Sequence, residues 1–152
     1  MDQFMKRALG LASKNVKEGG RPFGAVLVKD GEVLAEGVNE LHHKYDVSAH
    51  AEMNAIREAQ EKLQTRDLSG SVMYCSGEPC SMCLTAMFFV GIEKGYYASS
   101  IEETAGVGLT DSAMLYEDLK KPREERQVRL VHIALDDDAE NPMEQWRQNQ
   151  KS

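Results

Sequence analysis

The sequence has no long apolar run and only three cysteines, and both shortages narrow the kind of protein it can encode. No stretch approaches the ~20 apolar residues needed to cross a bilayer, and residues 1–6 lack the apolar core of a secretion signal. An odd number of cysteines, two of them spaced C-x-x-C, suits metal binding in a reducing compartment better than a disulfide framework. We therefore expect a cytoplasmic protein that does not enter a membrane.

A strongly basic surface is also missing from the sequence. Lys and Arg number 18 against 25 Asp and Glu, which gives a net charge of −7. Nucleic-acid binders usually carry a basic patch, because each phosphate contact is an electrostatic gain. The densest basic stretch, residues 120–126, contains two glutamates, which favours a solvated surface over a nucleic-acid site. We expect a small-molecule substrate and no nucleic-acid partner.

The pattern of apolar residues and turns predicts one domain over residues 1–152, in the α/β class. An initial hairpin is followed by alternating helices and strands, which indicates a mixed sheet covered by helices on both faces. The Asp30-Gly31 pair is a hairpin signal between the first two strands. The predicted strands are 25–28, 32–35, 72–75, 96–98 and 128–133, so the sheet has five. The predicted helices cover 2–18, 49–63, a segment starting near 79, 111–120 and 141–149.

Residues 86–90, in the helix predicted after Pro79, are apolar on every side. A helix that is apolar all round is buried rather than lying on a wet surface. In a domain of this size, a second copy of the chain can supply part of that burial. The sequence therefore predicts a homodimer.

Two motifs, His50-Ala51-Glu52 and Pro79-Cys80-Ser81-Met82-Cys83, carry the chemistry of the chain. One imidazole and two thiolates can hold Zn²⁺ and leave its fourth position to water. The cysteines are three apart at a helix start, where Pro79 suits the first helical position and the helix dipole favours thiolate. Glu52 is two residues from His50, a spacing that on a regular helix points the two side chains apart. The pattern H-x-E…P-C-x-x-C is nevertheless the signature of zinc deaminases, whose Glu is an acid/base and not a ligand.

A structural zinc site and a thioredoxin-like redox pair would use the same residue types. A structural site needs a fourth protein ligand, for which Cys75, His42 and His43 are the candidates. Cys75 lies in an apolar strand and is expected in the core, whereas His42 and His43 fall in a polar loop. His132 lies in a β pattern and is expected to be a packed or edge residue. The order of the motifs, with a strand between them, favours a catalytic zinc.

On these motifs the chain resembles the cytidine/deoxycytidylate deaminase superfamily, and within it the bacterial guanine deaminases. The likeness extends over Pro22–Val26, Ala49–Glu52, Glu78–Leu84, Thr110–Ser112, Pro122–Arg126 and Gln145–Arg147. The resemblance implies a three-layer α/β/α fold, a dimer swapped through its C-terminal segment, and hydrolytic loss of ammonia from a purine ring.

The resemblance also implies a role for each matching residue. Zinc would be held by His50, Cys80 and Cys83, and Glu52 would move protons. The substrate base would be bound by Asn39 and walled by Phe23 and Phe89, with Asp111 as a second proton carrier or a contact to the amino group. Three of these residues also have a simpler role, in which Asn39 makes a turn after the second strand, Phe23 packs in the core and Asp111 begins a helix.

The function expected from the sequence is zinc-dependent hydrolytic deamination of a free nucleobase, with guanine first. Zinc lowers the pKa of a bound water to about 7, and a carboxylate such as Glu52 can carry its proton. Cytosine, another aminopurine or a nucleoside would be handled by the same chemistry. An editing deaminase acting on tRNA adenosine shares the motifs but conflicts with the acidic charge. A zinc-binding module without catalysis is the remaining alternative.

Overall fold

The structure is a computed structural model that describes residues 1–151, in two compact units. The first unit, Met1–Lys120, contains four strands and five helices in alternation. Its elements are α1 (Gln3–Lys17), β1 (Gly24–Lys29), β2 (Glu32–Val38), α2 (Ala51–Leu63), β3 (Ser71–Gly77), α3 (Ser81–Phe89), β4 (Lys94–Ser99), α4 (Ile101–Gly106) and α5 (Asp111–Leu119). No helix in the described part of the chain is long and apolar enough to span a membrane.

The four strands form one mixed sheet in the order β2-β1-β3-β4. β1 runs antiparallel to both β2 and β3, and β4 runs parallel to β3. Asp30 and Gly31 both have positive φ, 51° and 79°, as the type I′ turn of a two-residue hairpin requires. The predicted hairpin and the predicted mixed sheet are therefore confirmed.

Helices cover both faces of β1, whose side chains alternate between two cores. Ala25 and Leu27 pack in a large core that also contains α2 residues such as Ala55. Val26 and Val28 point the other way and pack against Met5 and Ala8 of α1. Because both faces of the strand are covered, its first five residues are all buried. This arrangement confirms the α/β class expected from the sequence.

The prediction of a fifth strand at 128–133 is wrong for this structure. Its apolar side chains are 72% to 85% exposed, and the segment pairs with no strand in residues 1–151. Alternating apolar residues favour an extended chain, but a strand exists only where a neighbour completes its hydrogen-bond ladder. His132, predicted to be a packed or edge residue, is exposed.

The second unit, from Lys121 onward, contains a short 3₁₀ turn (Arg123–Glu125) and one helix, α6 (Pro142–Asn149). The side chain of Asn141 accepts a hydrogen bond from the Glu144 backbone N–H at 3.1 Å, and Pro142 follows it in the first turn. A capping side chain and an early proline both favour a helix start, as predicted from the sequence.

The exposure of α3 also differs from expectation. Leu84, Phe88 and Phe89 are 51%, 76% and 79% exposed, although the all-apolar sequence predicts burial. Apolar composition indicates that a surface is covered, but it does not say whether the same chain covers it. The sequence prediction also missed α4, whose start at Ser100 carries a complete capping box with Glu103. The S-x-x-E spacing was the available signal.

Candidate active site

The sheet directions bring several chain segments to one edge. β2, β3 and β4 all run the same way, because β2 and β3 are each antiparallel to the β1 strand between them. Their carboxyl ends therefore share an edge, which is where ligands bind in open α/β sheets. α2, α3 and α4 follow those three strands along the chain and begin on that side.

His50 is the N-cap of α2, with an extended backbone at φ −81° and ψ 157°. Glu52 follows in the first turn of the helix, and both side chains line the same cavity. The helical spacing that would point them apart does not apply, because His50 lies outside the helix. Sequence spacing alone did not decide whether Glu52 reaches the site. The position of His50 at the helix cap explains why both side chains do.

Cys80 is likewise an N-cap, with extended backbone before α3, and Cys83 lies in the first turn of that helix. Both side chains are buried. Pro79 precedes the cap, so the prediction that it occupies the first helical position is wrong by two residues. Two helix N-termini thus present His50, Cys80 and Cys83 to one point, where their dipoles favour anionic ligands.

The distances from His50 to the two cysteines fit a tetrahedral zinc. His50 Nδ1 lies 3.6 Å from Cys80 Sγ and 3.6 Å from Cys83 Sγ. Bonds of about 2.0 Å to nitrogen and about 2.3 Å to sulfur at a tetrahedral angle place those two ligand atoms about 3.5 Å apart. No fourth His, Cys, Asp or Glu joins the group within residues 1–151. The fourth position is therefore left to a non-protein ligand, and a structural site with four protein ligands is not supported.

The two cysteines share one proton in the metal-free site. A hydrogen bond from the Cys83 thiol lowers the pKa of Cys80 to about 4 and raises the pKa of Cys83 above its ordinary value. The neighbouring thiolate of Cys80 raises the pKa of His50. Cys80 is therefore a thiolate at neutral pH before any cation arrives. Such a charge favours a divalent ion with soft or borderline ligands.

Glu52 is only 7% exposed, and its burial raises its pKa to about 7. A carboxyl group with a pKa near neutrality can both accept and donate a proton at pH 7. It does not belong to the group of side chains that could hold the metal. Glu52 therefore has the placement and the pKa of a proton carrier beside a metal site.

A cavity of about 410 Å³ opens onto these residues, within the first unit. Its volume lies in the range of about 300–1,000 Å³ that is usual for small-molecule sites. Asn39 is buried in its wall, and its Oδ1 accepts the backbone N–H of Leu41 at 3.1 Å. Its Nδ2 has no partner among residues 1–151, which leaves a donor for a ligand. The turn-making role and a base-binding role of Asn39 are thus compatible.

Phe23 lines the cavity beside the last residue of β3, Gly77. A Cβ at Gly77 would lie 2.8 Å from the Phe23 ring, so the missing side chain lets the ring lie against the strand. Phe23 is half-buried and also packs against the large core. Both the core role and the wall role expected of it are visible in this placement.

The last two candidate residues differ in position. Asp111 begins α5 and lines the cavity, where its Oδ2 lies 3.5 Å from Arg21 Nη1. Phe89 lies on the exposed side of α3 and is not part of the cavity lining. The expectation that Phe89 walls the site is therefore not met within one chain. Arg21 also lines the cavity, and the sequence interpretation did not single it out. Its position directly before Pro22-Phe23 was the available signal.

Comparison with known proteins agrees with this geometry. Residues 1–99 match the family described as the cytidine and deoxycytidylate deaminase zinc-binding region. The guanine deaminase of Bacillus subtilis (strain 168) is 40% identical over 147 residues, covering 96% of this chain and 93% of that protein. The X-ray structure of guanine deaminase from Bacillus subtilis superposes with a TM-score of 0.88 at 38% identity, covering 97% of this chain and 95% of that one.

A tRNA deaminase is similar at a lower level. The tRNA-specific adenosine deaminase of Aquifex aeolicus (strain VF5) is 32% identical over 139 residues, which cover 91% of this chain and 89% of that protein. The chain is thus similar both to a protein named for a free base and to a protein named for a nucleic acid.

Proposed function

The chain belongs to the cytidine and deoxycytidylate deaminase family, and we propose that it is a zinc-dependent enzyme that converts guanine to xanthine and ammonia. The observation that carries this proposal is that the ligand atoms of His50, Cys80 and Cys83 lie together beside the buried carboxyl of Glu52. The choice of guanine is supported by the Bacillus subtilis guanine deaminase, which is similar over nearly the whole chain.

The three ligands and Glu52 divide the chemistry between them. When bound, Zn²⁺ supplies a Lewis acid and a water whose pKa is lowered to about 7. His50 Nδ1 and the sulfur atoms of Cys80 and Cys83 would hold the ion. A carboxylate oxygen of Glu52 accepts the proton of the attacking water and donates it to a ring nitrogen, which makes the amino-bearing carbon more electrophilic. The Glu52 carboxylate then takes the second proton of the water from the oxygen now bonded to that carbon and delivers it to the amino group, which leaves as ammonia as the C–N bond breaks.

Three side chains in the cavity wall bind and orient the base in this proposal. Asn39 donates from its unpartnered Nδ2, and Phe23 stacks on the ring from its place against Gly77. Asp111 contacts the amino group or carries a second proton from the start of α5. A flat base between an aromatic ring and fixed hydrogen-bond partners is held in one orientation. This lowers the entropic cost of reaching the reactive geometry.

A second candidate function is deamination of adenosine in tRNA, which the similarity to the Aquifex aeolicus enzyme supports. The net charge of −7 weighs against it, because phosphate contacts need basic side chains. Cytosine, another aminopurine and a nucleoside are alternatives within the same chemistry.

The test is ammonia release across a panel of bases, nucleosides and tRNA, with and without a chelator. We expect release from guanine, and its loss when the metal is removed. Glu52→Gln should keep the metal and lower turnover by about 10²- to 10⁴-fold, since proton transfer is lost. Glu58→Gln is the matched control, because Glu58 lies on the exposed side of α2 and pairs with Lys62. Substantial activity in Glu52→Gln would contradict the mechanism.

We further propose that the enzyme is a homodimer swapped through the C-terminal segment, in the cytoplasm, and that residues 1–152 form one deaminase domain. The exposed apolar residues of 128–133 and the exposed phenylalanines of α3 support a second copy, since such surfaces are usually covered. The three free cysteines support a reducing compartment. A monomeric mass at micromolar concentration, measured by light scattering, would contradict the dimer.

A further inference from the structure

The cavity wall contains one cationic side chain that the proposed mechanism does not use. Among the lining residues, the acidic ones are Glu52, Glu78 and Asp111, and Arg21 is the single Lys or Arg. Glu52 stands beside the metal ligands, and Glu78 accepts the backbone N–H of Ile101 at 3.1 Å. The Arg21 guanidinium is thus the permanent positive charge facing a substrate in this cavity.

The backbone of Arg21 is held in place by a buried amide. Asn15 Nδ2, on α1, donates to the carbonyl oxygen of Arg21 at 2.8 Å and to that of Asn39 at 2.9 Å. The Phe23 N–H donates to the same Arg21 carbonyl at 2.8 Å. Arg21 is therefore fixed relative to both wall residues expected to bind the base. A side chain on so rigid a support is suited to selecting a ligand.

The Arg21 guanidinium has N–H donors that are available to a ligand. Its contact with Asp111 uses Nη1 at 3.5 Å, and neither Nε nor Nη2 has a partner in the described part of the chain. A guanidinium has five N–H donors and no acceptor, so it attracts carbonyl oxygens and has no hydrogen bond to offer an amino group. Arg21 therefore offers a donor beside the acceptor of Asp111. This pair complements a base edge on which a carbonyl oxygen, facing Arg21, lies next to a ring N–H, facing Asp111.

We propose that Arg21 is a specificity-determining residue, whose guanidinium donates to the carbonyl oxygen of the purine and so favours guanine over 2,6-diaminopurine. The proposal rests on the proposed guanine deaminase activity. The two bases share the 2-amino group that would be hydrolysed, and they differ at position 6, where guanine has a carbonyl acceptor and diaminopurine an amino donor. Sites that hydrogen-bond one substituent discriminate strongly against its replacement.

The experiment compares kcat/KM for guanine and 2,6-diaminopurine in the zinc-loaded wild type and in Arg21→Met. Methionine keeps much of the side-chain length and removes every donor. We expect kcat/KM for guanine to fall about 10- to 100-fold, mainly through KM, because a hydrogen bond to a charged group is lost. The value for 2,6-diaminopurine should stay unchanged or rise, so that the preference ratio falls at least tenfold.

Further variants separate specificity from folding. Arg21→Lys keeps the cation with fewer donors and should retain part of the preference. Arg7→Met is the matched control, because Arg7 pairs with Glu36 on the surface and is not part of the cavity lining. This variant should leave the preference ratio unchanged.

Inhibition by hypoxanthine and adenine, which lack the 2-amino group, gives a binding readout. Arg21→Met should weaken hypoxanthine at least tenfold and leave adenine unchanged.

The outcomes distinguish the two proposals. An equal loss for both substrates, or no loss for either, overturns the role of Arg21 while guanine deamination stands. A wild-type enzyme that releases no ammonia from guanine overturns the proposed function and this inference with it.

Discussion

Zinc binding should release protons and become tighter as the pH rises. The ion competes with protons for Cys83 and His50, which must lose them to bind it. Cys80 has a pKa of about 4, so it is already ionised at pH 7 and releases nothing. Because fewer protons occupy the other two ligands at higher pH, the affinity for zinc increases in that direction.

The size of the effect follows from the two remaining ligands. The thiol of Cys83, whose pKa is raised, releases about one proton at pH 7. The pKa of His50 is raised by its hydrogen bond with Cys80, so protonated imidazole rings also release a proton when the ion binds. The ligands together release at least about one proton, and the affinity rises at least about tenfold for each pH unit near neutrality.

The measurement is calorimetric titration of the metal-free protein with zinc at pH 7, in buffers with different ionisation enthalpies. Chelator competition between pH 6 and 8 gives the slope of the affinity. Cys75→Ala is the control, since Cys75 is buried with a raised pKa and is not a ligand, and the proton count should not change. Release of fewer than one proton, or an affinity independent of pH, would refute the shared-proton description of the two cysteines.

Other predictions concern stability, measured by urea unfolding. Gly37→Ala should cost about 1–3 kcal/mol, because its Cβ would overlap the backbone of α2. Gly10→Ala, with nothing within 4 Å in the interior of α1, should instead stabilise by about 0.5–1 kcal/mol, and equal effects of the two would contradict the close approach. Asn15→Ala should cost about 1–3 kcal/mol, since its amide serves two carbonyl oxygens at the cavity wall. Tyr116→Phe should cost about 0.5–1.5 kcal/mol through loss of its 2.8 Å hydrogen bond to Pro79, and no loss would show that water replaces that bond.

The features that sequence predicted well are those decided by neighbouring residues. Asp30-Gly31 specifies its own turn, because the required backbone angles belong to those two residues. The metal ligands are also local, since His50 and Cys80 each end a loop and cap the helix that follows. The core role of Cys75 was predicted from its apolar strand, and it is buried.

The features that sequence predicted poorly depend on partners far along the chain. The strand expected at 128–133 needs a neighbour to complete its hydrogen bonds, and its own pattern does not say which strand that is. The exposure of Phe88 and Phe89 has the same origin. The apolar sequence of their helix indicates that another surface covers it, but the sequence does not say which surface that is. The Arg21–Asp111 pair joins residues 90 positions apart, and neither residue carries a local sign of the other.

The topology of the sheet explains why the candidate metal ligands could be predicted from their motifs, while the residues that line the cavity needed a structure or a resemblance. Each ligand lies at a helix start that its own motif encodes. The cavity wall, in contrast, is assembled from Phe23 before β1, Asn39 after β2, Gly77 at the end of β3 and Asp111 at the start of α5. Only the shared direction of β2, β3 and β4 brings these segments to one edge. The reaction is therefore encoded locally and the choice of base is encoded by the fold, so specificity can change through single wall residues such as Arg21 while the metal site stays the same.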